Sequence, residues 1–366
     1  MKILLRYLFV ALLQAFIFCA VACLFLPFIF DLFSSLNEFL QNRSQYDLLF
    51  SYYEAFFPYI LPMVLPPALL FATLYTLLSM NRTSQLVAMQ AGGISAFTLF
   101  TPFLGLGLVA TLILYGISLT VGGSARARQR EIMNTLRNPE IAQGMHQAQV
   151  YRNRASHRTW YAQTLNPRKN NATGLDVADQ DDDGRDAQKV FARSGSWDGN
   201  YWTFQDALVV TYNPDGTVAS RQIYENLPEP DWHESPKEMV RILLRPDEMT
   251  VADLRHTLHD GDVEAARSAP YRTRLWELFF SPLIGFILIG FALPQGLQYG
   301  RRDVSSGVFN AIFLLLAFYI VWNFFLALGA GGRLPAPLAV IIPILGFAGL
   351  ALWRLAPHVG WRLPAK

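Results

Sequence analysis

The sequence has few charged residues for its length and almost no cysteine. Of 366 residues, 52% are hydrophobic and 16% are charged, which is typical of a helical membrane protein rather than of a soluble domain. Cys19 and Cys23 lie inside the first apolar run, where they are interpreted as small hydrophobic side chains and not as a disulfide framework. The basic residues are scattered and form no patch interleaved with aromatic residues, so we expect no nucleic-acid partner.

The sequence also lacks the motifs of common catalytic sites. It contains no G-x-x-x-x-G-K-[ST] loop, so it cannot hold ATP phosphates in that way, and it contains neither G-x-S-x-G nor H-E-x-x-H. The long apolar runs have no ionisable residue at mid-depth, which argues against a proton-driven carrier and an intramembrane hydrolase. We therefore expect a chain with no catalytic residues and no cofactor, whose energy comes from a partner.

Six apolar runs are long enough to cross a membrane. The second run contains four prolines, so a kink or partial unwinding is expected there. The predicted spans are Leu8–Phe30, Ala55–Leu78, Phe97–Val121, Leu275–Leu293, Val308–Leu328 and Leu338–Leu355.

A polar segment from Gly122 to about Tyr271 separates the third span from the fourth. Short alternating runs between turn signals predict antiparallel strands in a sandwich or jelly roll. A return helix is predicted at Val251–Leu258, capped by Thr250. The predicted strands are Gln147–Val150, Thr159–Gln163, Lys189–Ala192, Tyr201–Phe204, Leu208–Tyr212 and Arg221–Tyr224.

Two patterns in this segment are compatible with metal binding. His256 and His259 lie three residues apart on the return helix, although exposed histidines without a metal are the simpler interpretation. The aspartates of D-x-D-x-D-G match the first half of a calcium loop, but its twelfth position is Val190 rather than glutamate. We predict no metal site and leave calcium binding open at the three aspartates, Asp179, Asp181 and Asp183.

The flanks of the spans predict the orientation. Basic residues concentrate on the side that holds the N-terminus, the loop after the second span, the loop after the fourth span and the C-terminus, against Asp303 alone. By the positive-inside rule both termini are cytoplasmic and the β-domain lies outside. The basic residues counted are Lys2, Arg6, Arg82, Arg301, Arg302, Arg354, Arg362 and Lys366.

The stretch Met80–Ser95 predicts a short helix of about three turns across the end of the bundle. Asn81 and Thr83 are suitable N-caps, and Gly92-Gly93 is a stop signal. On a helical wheel, small residues face one way and are expected to pack on the bundle; these are Ser84, Val87, Ala88 and Ala91. Larger residues face the other way and are left for a partner; these are Arg82, Gln85, Leu86 and Met89.

The run Q-L-V-A-M-Q-A-G-G-I-S, directly after the second span, resembles the signature of the YjgP/YjgQ (LptF/LptG) family, the permease subunits of the lipopolysaccharide exporter. The resemblance implies transmembrane parts at 1–121 and 272–366, and a periplasmic β-jellyroll domain at 122–271. It also implies an inner-membrane location and a helix at 80–95 that docks on a cytoplasmic ABC ATPase dimer. The expected coupling residues are Arg82, Gln85, Leu86, Met89 and Gln90. Gln85 stands where the family usually has an acidic residue, so a salt bridge to the ATPase cannot form there.

The resemblance further implies a homologous permease subunit, a single-span periplasmic accessory protein, a periplasmic bridge protein and lipopolysaccharide as partners. Arginines at the outer membrane interface would then contact lipid A phosphates, with ordinary snorkelling as the alternative. These are Arg126, Arg128, Arg272 and Arg274. The family often has a lysine near the outer end of the first span, where this chain has Asp31, so LptF and LptG are not distinguished.

The function predicted is therefore a non-catalytic permease that extracts lipopolysaccharide from the inner membrane and passes it to a periplasmic bridge, powered by a separate ATPase. The alternative is a membrane-anchored envelope enzyme, or a scaffold, that uses the periplasmic β-domain. A convergent acid, base or metal set within the polar segment would favour the enzyme.

Overall fold

The computed structural model describes residues 2–41, 46–137, 146–153, 156–181, 184–241, 244–259, 268–296 and 304–359. Within this part of the chain, six helical segments are long and apolar enough to cross a membrane, which confirms the predicted number of spans. They are Ile3–Leu36, Asp47–Arg82, Phe97–Thr120, Ala269–Gln295, Gly307–Ala330 and Ala336–Pro357.

Five helices precede the β-domain and six follow it in the described chain. The first five are α1 (Lys2–Gln41), α2 (Tyr46–Arg82), α3 (Gln85–Ala91), α4 (Ala96–Thr120) and α5 (Gly122–Arg137). The others are α6 (Pro236–Arg241), α7 (Val251–His259), α8 (Ala269–Phe280), α9 (Ile284–Gly296), α10 (Val304–Ala330) and α11 (Ala336–Val359). A single 3₁₀ turn, Ser281–Leu283, joins α8 to α9, so these two helices together form the fourth span.

Two local predictions can be compared directly with these helices. The second span does not unwind at its prolines, since α2 is one continuous helix through all four. The return helix is confirmed as α7: the Asp253 backbone N–H donates to Thr250 Oγ1 at 3.2 Å, and Asp253 Oδ2 accepts from the Thr250 backbone N–H at 3.1 Å. This reciprocal cap fixes the start of the helix.

Six described strands form one antiparallel sheet in sequential order. They are β1 (His146–Asn153), β2 (Arg158–Asn166), β3 (Asn171–Gln180), β4 (Asp186–Trp197), β5 (Trp202–Tyr212) and β6 (Val218–Glu229). The predicted all-β insertion is confirmed. Its strand order is that of a meander rather than the crossing order of a jelly roll, because each described strand pairs with the next one along the chain.

The sheet nevertheless curls so that its two halves face each other. Trp160 lies on β2 and Trp202 on β5, three strand spacings apart, which is roughly 14 Å in a flat sheet. Their ring centroids are only 5.3 Å apart, and Trp232, which follows β6, lies 5.3 Å from Trp160. All three indoles are buried. The interior therefore resembles that of a sandwich, although it is built from a single sheet.

The strand predictions were wrong at two places. Most of Tyr201–Phe204 and all of Leu208–Tyr212 belong to one strand, β5, which begins at Trp202 and passes through Asp206 at a φ of 50° without ending. β3 was not predicted, because acidic residues and Gly174 hide its inward row of Ala172, Leu175 and Val177, which are all buried.

α5 places the β-domain at one end of the bundle. Ile132 and Leu136 of α5 form a buried cluster with Tyr52, near the start of α2. Glu131 of α5 accepts a hydrogen bond of 2.6 Å from Arg168, in the turn after β2. About 30 helical residues, roughly 45 Å, separate Tyr52 from Arg82 at the end of α2. Because α3 follows Arg82, it lies at the opposite end of the bundle from the β-domain.

Candidate functional site

The predicted helix at 80–95 is divided among three elements. Residues up to Arg82 complete α2, and Ser95 begins α4 by accepting a hydrogen bond from the Thr98 backbone N–H at 3.3 Å. Ser84 separates α2 from α3 with a left-handed φ of 56°, a conformation uncommon outside glycine. The expected caps at Asn81 and Thr83 were therefore wrong, and α3 is a two-turn helix of seven residues.

The predicted stop at Gly92-Gly93 is confirmed. Gly93 has a φ of +82°, and its N–H donates to the Gln90 carbonyl at 2.9 Å. The Ile94 N–H donates to the Met89 carbonyl at 3.2 Å. This paired closure is the usual glycine-dependent end of a helix, so α3 has a defined length and a fixed connection to α4.

The two faces of α3 are the ones predicted, but their assignment was wrong. Leu86 has 0% exposure and Met89 packs against the same buried cluster, whereas Val87 is 48% exposed. Ala88 and Ala91 are also exposed. The reason is the larger apolar area of leucine and methionine, whose removal from water stabilises packing more than the burial of alanine does. The outward face of α3 is therefore small and weakly polar.

The predicted coupling residues do not share one surface. Arg82 is exposed at the end of α2, while Gln85 and Gln90 are half-buried. Gln85 Oε1 is buried and has no hydrogen-bond partner among the described residues. Leu86 and Met89 point into the bundle, so they anchor α3 and do not present it to a partner.

The two predicted arginines of α5, Arg126 and Arg128, contact other groups of the protein. Arg126 Nη1 donates to Gln129 Oε1 at 3.1 Å, and its guanidinium lies 4.2 Å from the centroid of the Tyr59 ring. Arg126 also lies 3.7 Å from a carboxylate oxygen of Asp247. Arg128 lies 3.8 Å from Glu54, with both side chains exposed. A contact between these arginines and lipid phosphates remains a prediction.

The two arginines of α8 have different surroundings. Arg274 Nη1 donates to Glu277 Oε2 at 2.8 Å, and both side chains are largely covered. Arg272 is exposed, and within the described ranges no carboxylate forms an ion pair with it. Of the four predicted phosphate contacts, Arg272 is therefore the one most open to a ligand.

A network of hydrogen bonds at the end of the bundle next to the β-domain was not predicted. The Tyr52 hydroxyl donates to Asp31 Oδ1 at 3.0 Å, and Gln129 Nε2 donates to the Tyr52 oxygen at 2.9 Å. Arg126 extends the chain through Gln129. Asp31 thus joins α1 to α2 and α5. The spacing of Ala125, Gln129, Ile132 and Leu136 could have indicated the buried face of α5 that completes this network.

The β-domain contains a buried ion pair that sequence reasoning also missed. Arg158 Nη1 lies 2.9 Å and 3.0 Å from the two carboxylate oxygens of Glu234, and both side chains are at least nine-tenths buried. The Trp202 indole donates to the Glu234 carbonyl at 2.7 Å, and the Arg158 guanidinium lies 4.5 Å from the Trp232 ring. These contacts fasten the chain after β6 onto the sheet interior.

The possible metal ligands are not gathered into a site among the described residues. Asp179 lies 3.6 Å from Arg158, and Asp181 accepts the Arg185 backbone N–H at 2.8 Å. Asp183 lies outside the described residues. His256 and His259 are exposed on α7. The described ranges contain no group of three His, Cys, Asp or Glu residues that could hold a metal.

A cavity of about 440 Å³ lies between α5 and the β-domain. Apolar Val240 and Leu244 share its wall with Arg130, Lys237 and His146. Burial lowers the pKa of the His146 imidazole, against a smaller opposing effect of a nearby glutamate.

Comparison with known families identifies the family to which the chain belongs. The family model described as Lipopolysaccharide export system permease LptF/LptG matches residues 6–357. A comparison with curated proteins gives no significant match. The family match includes the β-domain and all six spans except the first three residues of the first span, consistent with a multi-pass protein of the inner membrane. The chain therefore belongs to the LptF/LptG family of lipopolysaccharide export permeases.

Proposed function

We propose that this chain is the transmembrane half of an ABC exporter that extracts lipopolysaccharide from the inner membrane and passes it to a periplasmic bridge protein. A homologous permease forms the other half, and a single-span periplasmic accessory protein completes the assembly. A cytoplasmic ATPase dimer hydrolyses the ATP, so the permease itself is not catalytic. Both termini lie in the cytoplasm, and the β-domain lies in the periplasm.

The position and anchoring of α3 carry this proposal. α3 lies at the opposite end of the bundle from the β-domain, and Leu86 belongs to a buried cluster with residues of four spans. These include Leu12 of α1, Leu77 of α2, Phe100 of α4 and Ile289 of α9. Because packed side chains transmit displacement rather than absorb it, a force on α3 would reach all four spans. This is the mechanical connection that an external ATPase needs.

The exposed face of α3 suits close docking. Ala88 and Ala91 have short side chains, so a groove on the ATPase could approach the helix backbone, with Val87 as the apolar contact. Arg82 can pair with a carboxylate of the ATPase. Gln85 supplies no negative charge and is half-buried, so docking in this chain rests on shape and on Arg82.

The outer half of the molecule supports a lipid route. α1 is only 17% buried in its most apolar window, which leaves a broad apolar surface for a second permease and for lipid. An amphiphile with several acyl chains needs a continuous apolar path. The cavity between α5 and the β-domain, with Val240 and Leu244 on its wall, supplies apolar surface beyond the outer end of the bundle. Arg272 is the best placed of the predicted arginines to meet a phosphate at the entrance.

Purification of the chain from its native membrane in mild detergent tests the proposal. Mass spectrometry should identify a P-loop ATPase, a second permease and lipopolysaccharide in one complex, and the complex should hydrolyse ATP. Recovery of the folded chain without any ATPase, under conditions that retain the second permease, would contradict the exporter assignment.

A further inference from the structure

A cleft near α3 has the composition of a lipid site. Its volume is about 420 Å³, within the range of roughly 300–1,000 Å³ that holds small ligands. It lies between α1, α2 and α10, with Phe71, Leu74, Leu78 and Val308 on its apolar wall. Arg82 lies at its end. The cleft is thus apolar along most of its length and basic at one end.

The charge at this end is uncompensated within the described chain. Arg82 is exposed, and no described carboxylate forms an ion pair with it. Eleven helical residues separate Phe71 from Arg82, which corresponds to roughly 16 Å along the axis. Half of a bilayer core is about 15 Å thick. The cleft therefore spans the depth of one leaflet, with its arginine at the level of the headgroups.

We propose that this cleft binds one anionic phospholipid from the leaflet on the α3 side of the membrane. An acyl chain lies against Phe71, Leu74 and Leu78, and the headgroup phosphate accepts hydrogen bonds from the Arg82 guanidinium. The occupant is a phospholipid and not lipopolysaccharide, because the cleft opens at the end of the bundle opposite the β-domain. Arg82 is also the residue proposed to pair with the ATPase, but a guanidinium has five N–H donors and can bind a phosphate and a carboxylate at the same time. The inference goes beyond the export function and does not require that α3 docks on an ATPase.

The lipid would contact the joint between α2 and α3. Ser79 lines the cleft, and its carbonyl accepts a hydrogen bond of 3.2 Å from the Thr83 hydroxyl in that joint. Thr83 immediately precedes Ser84, whose left-handed conformation sets the direction of α3. The headgroup thus lies on the turn that positions α3, which makes its attachment sensitive to lipid composition.

The chain offers a matched control on the other side of α1. A groove of about 360 Å³ between α1 and α4 is lined by Arg6, together with Phe9 and Pro102. Arg6 lies near the end of α1 that packs beside the last turns of α2, just before α3. Removal of Arg6 therefore changes the charge of this membrane face without altering the proposed cleft. A loss that is specific to Arg82 would identify a site rather than general attraction of anionic lipid.

Native mass spectrometry of the full complex in nanodiscs tests the site. The nanodiscs would contain equal amounts of palmitoyl-oleoyl phosphatidylglycerol and phosphatidylcholine, and retained lipid would be counted on the wild type and on Arg82→Ala, Ser79→Phe and Arg6→Ala. We expect one retained phosphatidylglycerol per chain in the wild type and in Arg6→Ala. Arg82→Ala should weaken retention by about fivefold, the effect of one basic residue at an anionic surface. Ser79→Phe should reduce it by filling the cleft.

Three results would overturn the proposal. Phosphatidylcholine retained as strongly as phosphatidylglycerol would show that Arg82 does not select a lipid by the charge of its headgroup. An equal loss in Arg6→Ala would show general electrostatic attraction only. Retention of lipopolysaccharide in place of phospholipid would assign the cleft to the exported substrate. The ATPase is counted in the same spectra, so a failure of lipid binding is distinguishable from a failure of ATPase docking.

Discussion

The reversal of the α3 faces leads to a direct prediction about the ATPase contact. Ala88→Arg places a long charged side chain on the exposed face, where the ATPase would approach. Arginine is a good helix former and the position is exposed, so the stability of the permease should change by no more than about 0.5 kcal/mol. Disruption of a central interface contact typically costs about 2 kcal/mol or more, so ATPase affinity should fall by roughly thirtyfold.

Substitutions on the inward face of α3 should act on the stability of the permease rather than directly on its contact with the ATPase. Leu86→Met preserves side-chain volume in the buried cluster and should cost less than about 1.5 kcal/mol, with the ATPase retained. Leu86→Ala removes buried volume and should destabilise the end of the bundle by about 2–5 kcal/mol. That variant should retain ATPase poorly, but only together with a lowered unfolding temperature.

Copurification of the ATPase, measured beside thermal unfolding of the same preparations, separates these effects. Val121→Arg is the matched control, since Val121 is 45% exposed and lies at the other end of α4. The reasoning is refuted if Ala88→Arg and Val87→Arg both retain the ATPase at the level of the wild type and of this control.

Three further predictions concern the outer half of the molecule and are measured by unfolding of the full chain in detergent. Gly123→Ala should destabilise the chain by at least about 1–3 kcal/mol, because a Cβ there would clash with backbone atoms of the loop before α7. Gly122→Ala should be tolerated, since the nearest atom to its Cβ lies at 3.5 Å. Equal effects of the two changes would contradict this packing. Glu234→Ala removes the closest partner of the buried Arg158 and leaves Asp179, at 3.6 Å, as its remaining described ion-pair partner. The change should cost about 3 kcal/mol, which a double change of Arg158 and Glu234 to leucine should partly recover. An unchanged tryptophan-fluorescence transition in denaturant would refute this prediction. Because the pKa of His146 is lowered in the folded chain, the unfolded state binds the proton more readily near and below pH 6.5. The stability of the fold should therefore decrease as the pH falls from 7.5 to 5.5, and His146→Gln should make that decrease smaller. An identical decrease in the variant would exclude His146 as a cause.

The membrane part of the fold was predictable because its signal is local. Each span is a run of apolar residues whose length matches the bilayer, and no predicted limit differs from the observed one by more than about two helical turns. The short α7 was also predictable, since Thr250 and Asp253 supply its cap within four residues. Such features need no knowledge of distant contacts.

Features that depend on tertiary packing were harder to predict. The wheel divides α3 into the correct two faces, but only the packing of α1, α2 and α4 decides that Leu86 and Met89 turn inward. The strand runs likewise do not reveal that β2 and β5 face each other, because that contact comes from the curl of the whole sheet.

Charged residues illustrate the same limit at the candidate site. The sequence places Arg126 near the membrane interface, but its partner Asp247 lies more than one hundred residues away and is brought close by the β-domain. Asp31 similarly finds Tyr52 on another helix, and so serves as a joint between helices. Long-range pairing of this kind decides which arginines stay open to a ligand, and it leaves Arg272 exposed.

ATP-driven release of lipopolysaccharide from proteoliposomes tests the central claim most directly. The complex containing this chain would be reconstituted with lipopolysaccharide, and transfer to the purified periplasmic bridge protein would be measured after addition of ATP. The account predicts transfer that requires ATP and the permease chain, and that Ala88→Arg strongly reduces. Sustained ATP hydrolysis by the intact complex with no transfer of lipopolysaccharide would contradict it.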